Sequence, residues 1–306
     1  MRAKSKAILA VAIAGVLLLA AVVLVTPALR FSVLIGLGRN YCPVESVWTA
    51  ASQRSARERL RQKLERAARI VQTDGGLVQW DISGERYWMP DGSRILPGML
   101  AEQKTSLYDS AGERVRPGDV VLDCGANIGL YTISALERGA SLVVAVEPAL
   151  DNVECLRRNL AAYIAAGRVV VYPKGVWDKD DVLPLNVQPS NSASYSVALR
   201  YRGAAPGPQV DLTTIDELVR ELRLERVDYV KMDIEGAERA ALAGGAEVIR
   251  KFRPRLTISL EHRYDDPRSI PEEVLGIFSG YRASSGRCIE LSAGLRPAVM
   301  SFVAAP

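Results

Sequence analysis

Residues 120–133 read VVLDCGANIGLYTI, an apolar β-branched run that passes into a glycine turn and then into a helical pattern. A strand, glycine turn and helix in that order form the cofactor corner of a doubly wound α/β fold. A dinucleotide-binding corner carries G-x-G-x-x-G, whose middle glycine lets a pyrophosphate touch the backbone. Here the middle position is Asn127, and the following glycine, Gly129, comes one residue early. A side chain at the pyrophosphate seat suits a nucleoside ligand with a short charged tail better than NAD.

The sequence around this corner alternates strand and helix. Strands are expected at DVVLDC (119–124), SLVVAVE (141–147), RVVVY (168–172), VDYVKMD (227–233) and RLTISLE (255–261). Helical patterns lie near 102–108, 129–138, 149–165, 214–223 and 236–251. Short apolar strands without alternation belong in a parallel sheet covered on both faces. GYRASS and AVMSFVAA near the carboxyl terminus add two strands that can close the sheet antiparallel. Ahead of the core, LVQWDI and RYWM form a hairpin. An insert over 174–211 holds the strand-like VLPLNV, the polar run PSNSASYS and a turn at AAPGP.

Ligands of open parallel sheets sit outside the carboxyl ends of the strands. Four expected strands end in acids there: Asp123, Glu147, Asp233 and Glu261. Glu147, 18 residues beyond Gly129, is placed to accept hydrogen bonds from a ribose diol. Asp123 falls near the ammonium of an amino-acid tail, whose carboxylate suits the N–H groups of the turn and helix start. Together these groups favour S-adenosylmethionine. Asp233 can orient or deprotonate an acceptor hydroxyl. His262, the only histidine in the chain, follows Glu261 directly and reads equally as a structural residue or a base. Glu238 reads as a favourable acid in a helix's first turn. Glu102 reads as an acceptor-side residue or as part of a surface helix. Asp233, Glu235, Glu261 and His262 have ligand chemistry, but no loop spacing enforces a metal site, and no metal is expected.

DCGANIGLYT, VVAVEP, GVWDKDD, YVKMDIEGAE and ISLEH resemble, in order and spacing, the FkbM-type methyltransferase family, with KMDIEGAE (231–238) the most specific piece. The resemblance covers roughly residues 76–305. It implies a mostly parallel, seven-stranded Rossmann-like methyltransferase sheet, S-adenosylmethionine as donor, and O-methylation of a hydroxyl, often on a sugar or polyketide. It further implies that Asp123, Gly125, Asn127 and Gly129 surround the methionine end, that Glu147 holds the ribose and that Asp178 lies near the adenine. Asp233, His262 and Glu235 would then be catalytic, with Glu102 and Glu261 on the acceptor side. A nicotinamide-dependent oxidoreductase and a catalytically silent, membrane-tethered binding protein are the alternatives.

Residues 7–25, AILAVAIAGVLLLAAVVLV, are 19 consecutive uncharged residues. At about 1.5 Å each they come close to the roughly 30 Å of a bilayer core. The chain is therefore expected to have a membrane anchor in 1–45, touching lipid through 7–25, a basic helical linker in 46–75 and a catalytic domain in 76–306. The stretch 53–71 carries seven basic and two acidic residues, which suits an anionic cytoplasmic leaflet. Arg2, Lys4 and Lys6 argue for the opposite orientation. The cytosolic origin of the donor decides the expectation for a cytoplasmic domain. Four cysteines without metal spacing are expected as reduced thiols. A formal charge of +4, much of its basic excess before residue 70, gives no support to nucleic-acid binding.

Overall fold

The computed structural model describes residues 13, 15, 26–291 and 294–305. Except for Ile13 and Gly15, the apolar stretch 7–25 lies outside the described residues. Among the described residues no helix is long and apolar enough to cross a membrane.

Helix α1 (Pro27–Gly36) leads into the charged helix α2 (Val44–Ala67), then into an antiparallel sheet of β1 (Ala68–Asp74), β2 (Leu77–Ile82) and β3 (Glu85–Pro90). The helix of the expected linker thus ends at Ala67, and a boundary at 75/76 falls in the β1–β2 turn. Leu64 of α2 packs with Leu77, Met89 and Leu100, which ties the basic helix to the body of the protein. The next helix, α3, spans Leu96–Lys104 and not 102–108. Pro97 reads as a loop residue, yet in a first helical turn its missing N–H costs nothing and its φ is already helical.

The core follows as β4 (Val120–Cys124), α4 (Leu130–Glu137), β5 (Leu142–Val146), α5 (Leu150–Asn159), α6 (Ala161–Ala165) and β6 (Val169–Tyr172). After an insert come α7 (Ile215–Glu221), β10 (Tyr229–Met232), α8 (Glu238–Ala243), α9 (Ala246–Phe252), β11 (Arg255–Ser259), α10 (Asp266–Ile277), β12 (Tyr281–Ser285), the hairpin of β13 (Cys288–Leu291) and β14 (Gly294–Pro297), and β15 (Val299–Ala304). The main sheet has seven strands in the order β12-β15-β11-β10-β4-β5-β6, with β15 antiparallel to both of its neighbours. Ile215 and Leu218 of α7, Leu242 of α8 and Val274 of α10 cover one face. Tyr131 and Leu136 of α4 and Leu156 of α5 cover the other. Each such leucine stabilises the fold by about 1.5–3 kcal/mol through burial.

The chain leaves β4 through α4 to β5 on one side and later returns to β10 on the other, with Met232 beside Cys124. A crevice opens at such a reversal, outside the strands' carboxyl ends. The insert folds as β7 (Gly175–Val176), β8 (Asp181–Val187) and β9 (Ala205–Thr213) and walls this crevice. The AAPGP turn is therefore strand. Pro206 falls in the half of β9 that pairs with β8 alone, where a missing N–H is tolerated.

Cys42 and Cys288 form a disulfide across 246 residues of sequence, which corrects the expectation of reduced thiols. Cys124 and Cys155 are free and buried. Spacing could not reveal the pair, because the β13–β14 hairpin is brought to the α1–α2 junction only by the fold, through packing of Phe31 and Val47 on Leu295. Replacing both cysteines by serine is expected to lower stability by about 2–4 kcal/mol. The measurement is Tm without reductant; a melting curve unchanged by the substitutions would show that the bridge does not hold the fold.

Candidate active site

The crevice has two lobes that meet at Gly125, Asn127, Asp233 and Glu235. Gly125 follows β4 with φ +80°, and a Cβ there would lie 1.9 Å from the carbonyl oxygen of Asp233. Only glycine lets β4 and the loop after β10 approach this closely. Asn127 and Glu235, on the two loops, hold φ 51° and 54°. Left-handed backbone at non-glycine residues is sustained only where surrounding contacts over-determine it, as they do at ligand sites. Here the Asn127 side chain donates to the Ser192 carbonyl at 3.0 Å, while Ser196 Oγ donates to the Glu235 carbonyl at 2.7 Å. Gly236 follows with φ +92°, and the group closest to its Cβ position is the Leu199 side chain.

In the first lobe the Glu147 carboxylate accepts from the Asn127 and Ala149 N–H groups, each at 2.9 Å. Burial raises its carboxyl pKa against the pull of those donors. Asn152 Nδ2 donates to Ser192 O at 3.2 Å, and its buried Oδ1 has no hydrogen-bond partner. That orphan acceptor beside Glu147 fits a ligand hydroxyl or amine. Val176, Leu185, Ile234 and Pro148 supply an apolar slot. Glu147 and Asn152 would hold a ribose, and the slot an adenine.

The second lobe holds Tyr108, Lys231, Asp233, Glu261 and Glu102, with Tyr131. Tyr108 donates its hydroxyl to Asp233. His262 places Nε2 3.3 Å from Asp233 and 3.6 Å from Glu235, while Nδ1 lies 2.8 Å from Glu238. Burial lowers the imidazole pKa, but Glu238 and Glu235 outweigh it and hold the ring well above its usual range. The flanking carboxylates thus favour the charged ring of His262, and Asp233, Glu238 and His262 bring one ligand-type atom each within 4.8 Å of one another. Burial raises the Asp233 carboxyl, and Lys231, His262 and Tyr108 reverse this, leaving it below its usual value and ionised. Glu261 goes the other way, pushed by burial to about 8. Glu102 is raised in the same direction, by its recessed position and by Asp233, although its side chain keeps 42% exposure and water moderates the effect. Near neutral pH, Glu261 is therefore a proton-bearing donor.

The structure brings Gly125, Asn127, Glu147, Asp233, Glu235, Glu102 and Glu261 to the crevice, with His262 against the acids of its wall. Three expected residues stand apart. Asp123 is fully buried, accepts from Thr132 Oγ1 at 2.7 Å and pairs with Lys231 at 3.2 Å, so it neutralises a lysine and not a ligand ammonium. Gly129 starts α4 and packs on Leu160. Asp178 is exposed on a bend after β7 and lines neither lobe. Sequence reasoning passed over four residues. Lys231, 3% exposed between the Tyr108 and Tyr131 rings, had a signal: a lysine inside an apolar strand needs a buried partner. Glu238 is buried against His262 and also accepts from the Ile234 N–H at 3.0 Å, more than a first-turn acid does. Tyr108 and Asn152 had no local signal.

A reversed parallel sheet, an apolar-walled lobe beside an acid-rich lobe, and a glycine turn between them define a methyltransferase-like α/β fold. The description "Methyltransferase FkbM domain" matches residues 123–283, more than half of the chain, and the chain belongs to that family, whose members take their methyl group from S-adenosylmethionine. Among its relatives are methyltransferase sdnD of Sordaria araneosa, 29% identical over 166 residues, and 31-O-demethyl-FK506 methyltransferase FkbM of Streptomyces tacrolimicus, 30% identical over 164 residues. Each match covers 45% of this chain and 63% of the relative, so the chain spans under two thirds of the curated relatives' length. A methyltransferase FkbM from Methylobacillus flagellatus KT superposes with a TM-score of 0.45 at 20% identity, covering 83% of this chain and 60% of the other.

Proposed function

We propose that this chain transfers a methyl group from S-adenosylmethionine to a hydroxyl of a saccharide, lipid-linked glycan or related metabolite. The observation that carries the proposal is the junction of the two lobes, where Gly125 and Asn127 face Asp233 and Glu235. The donor supplies a methyl group made electrophilic by its sulfonium. Asp233 then has two tasks: it orients the acceptor hydroxyl and receives its proton. A hydroxyl oxygen becomes strongly acidic as it gains a third substituent and oxonium character, so an ionised carboxylate suffices even with a lowered pKa. Tyr108, Lys231 and His262 keep Asp233 ionised and fixed, while Glu238 and Glu235 hold His262. Glu261, protonated, donates to an oxygen of the acceptor. The relative named for a 31-O-demethyl substrate supports an oxygen acceptor. The dinucleotide alternative is opposed by Asn127, whose side chain crosses to Ser192 where a pyrophosphate would rest.

Isothermal titration of the full chain with S-adenosylmethionine tests the donor; a folded chain that binds none would end this reading. Replacing Glu147 by alanine is expected to weaken donor affinity by about 1–3 kcal/mol, because hydroxyls and the Asn127 N–H both lose an acceptor. Unchanged affinity would remove Glu147 from the site.

We further propose an anchor at 7–25 with the domain on the cytoplasmic face, where the donor is made. The Cys42–Cys288 disulfide and the positive flank before residue 7 pull the other way. In sealed membranes, protease added from the cytoplasmic side is expected to cut the domain. Protection together with an intact disulfide would place it across the membrane.

A further inference from the structure

A third chamber, of about 150 Å³, adjoins the acceptor lobe and shares Glu102 and Glu261 with it. That is ample against the roughly 10–15 Å³ one water needs. Its walls are α1 and α2 on one side and β13 on the other, the elements joined by Cys42–Cys288. Arg54, Arg57 and Arg287 line it. Arg54 pairs with Glu290 at 3.0 Å. Arg57, its side chain 27% exposed, has as its only carboxylate contact among the described residues Glu102 at 3.7 Å. Arg287 donates to the carbonyl and hydroxyl of Thr105 and has no carboxylate within ion-pair distance among the described residues. Burial and the neighbouring Arg57 both lower the Arg287 pKa, so the two guanidiniums repel across a recess. The buried Oε1 of Gln53, in the same wall, has no hydrogen-bond partner.

Glu102, Glu261 and Glu290 also line the chamber, but among the described residues Arg287 has no carboxylate partner and Arg57 only one, at 3.7 Å, and guanidinium forks so placed beside a cavity can hold a phosphate bidentately. Gln53 Oε1 can accept from a hydroxyl next to the phosphate. Glu102 and Glu261 line both this chamber and the lobe that holds Asp233. We propose that the chamber binds a phosphate group carried by the methyl acceptor, whose hydroxyl then extends past Glu261 to Asp233. The proposal rests on the methyltransferase reading for the word acceptor, and on the chamber alone for the phosphate. Two sources share this chemistry: a soluble sugar phosphate and a phosphate-bearing lipid. Phe31 of α1 lines the chamber, and Leu29, Val33 and Leu37 of the same helix region are 44%, 44% and 64% exposed, so a lipid could reach it from an adjoining apolar surface.

The test is direct binding without donor or turnover. The full chain in detergent is titrated calorimetrically with inorganic phosphate and glucose 1-phosphate, and in nanodiscs it is exposed to vesicles of phosphatidylcholine with and without phosphatidic acid. At least one phosphate probe is expected to bind, and the double variant Arg57→Gln/Arg287→Gln to weaken it by at least 10-fold with S-adenosylmethionine affinity unchanged. Because Arg287 also ties down Thr105, Arg54→Gln/Arg57→Gln is measured beside it and is expected to weaken the same probe. Binding of the sugar phosphate supports a soluble acceptor; binding confined to phosphatidic acid vesicles supports a lipid. No binding of any phosphate probe, or binding that neither variant weakens, overturns the proposal. Donor binding lost in the wild type while phosphate binding persists would overturn the methyltransferase reading and leave the anion chamber standing.

Discussion

Asparagine in place of Asp233 is expected to lower methyl transfer by about 10²–10⁴-fold, the range for removing a positioned proton acceptor. The side chain keeps its shape and its contact with Tyr108 but loses the charge that balances Lys231 and His262. Transfer is read as labelled methyl from S-adenosylmethionine incorporated into a membrane extract, with circular dichroism and donor titration as controls. Donor affinity should change little. Full incorporation by a folded Asp233→Asn chain would remove Asp233 from the reaction. The pH dependence has a definite sign. The folded pKa of Asp233 is depressed, so its ionised form contributes stability above the unfolded pKa, and this is lost only as pH falls through the lower folded value. Protonation of Asp233 is therefore not expected to limit transfer between about pH 5 and 8.

Alanine at Gly125 is expected to abolish donor binding and to destabilise the protein by about 4–5 kcal/mol, at the upper end for a single substitution. The new methyl would lie 1.9 Å from the Asp233 carbonyl oxygen, a backbone atom that no rotamer change can move, at a φ of +80° that alanine adopts poorly. Relief requires β4 and β10 to separate at their carboxyl ends, which takes Asn127 away from Glu147 and Asp233 from Tyr108. A denaturant midpoint and a donor titration measure the two effects. A variant that melts and binds like the parent would show that the close approach is not needed.

The main sheet was legible because its signals are local. Its strands are short apolar runs, and those at 120–124, 142–146 and 229–232 are each followed by a helical pattern of the right length. The corner at 124–129 was legible for a similar reason, since glycine at a left-handed position leaves a mark in the sequence. Proline misled twice, at Pro97 and in 205–213, because a residue without an N–H suits both a loop and an element position where no donor is needed. The acids at the strand ends were found, but their charges were not. Asp123 pairs with Lys231, while Lys231 and His262 pull the Asp233 carboxyl down and burial pushes that of Glu261 up, so carboxyl groups at neighbouring strand ends are moved in opposite directions.

VVLDCGANIGLYTI by itself determined a strand, a turn with no seat for a pyrophosphate and the helix after it, because backbone sterics and apolar patterning act over a few residues. Tertiary structure alone decided that Tyr108 reaches Asp233 across 125 positions, that Glu238 holds His262, and that Cys42 meets Cys288 beside an arginine-lined chamber. Those contacts join elements distant in sequence, and their geometry follows from strand order and helix packing, which leave no periodic trace in the residues they bring together.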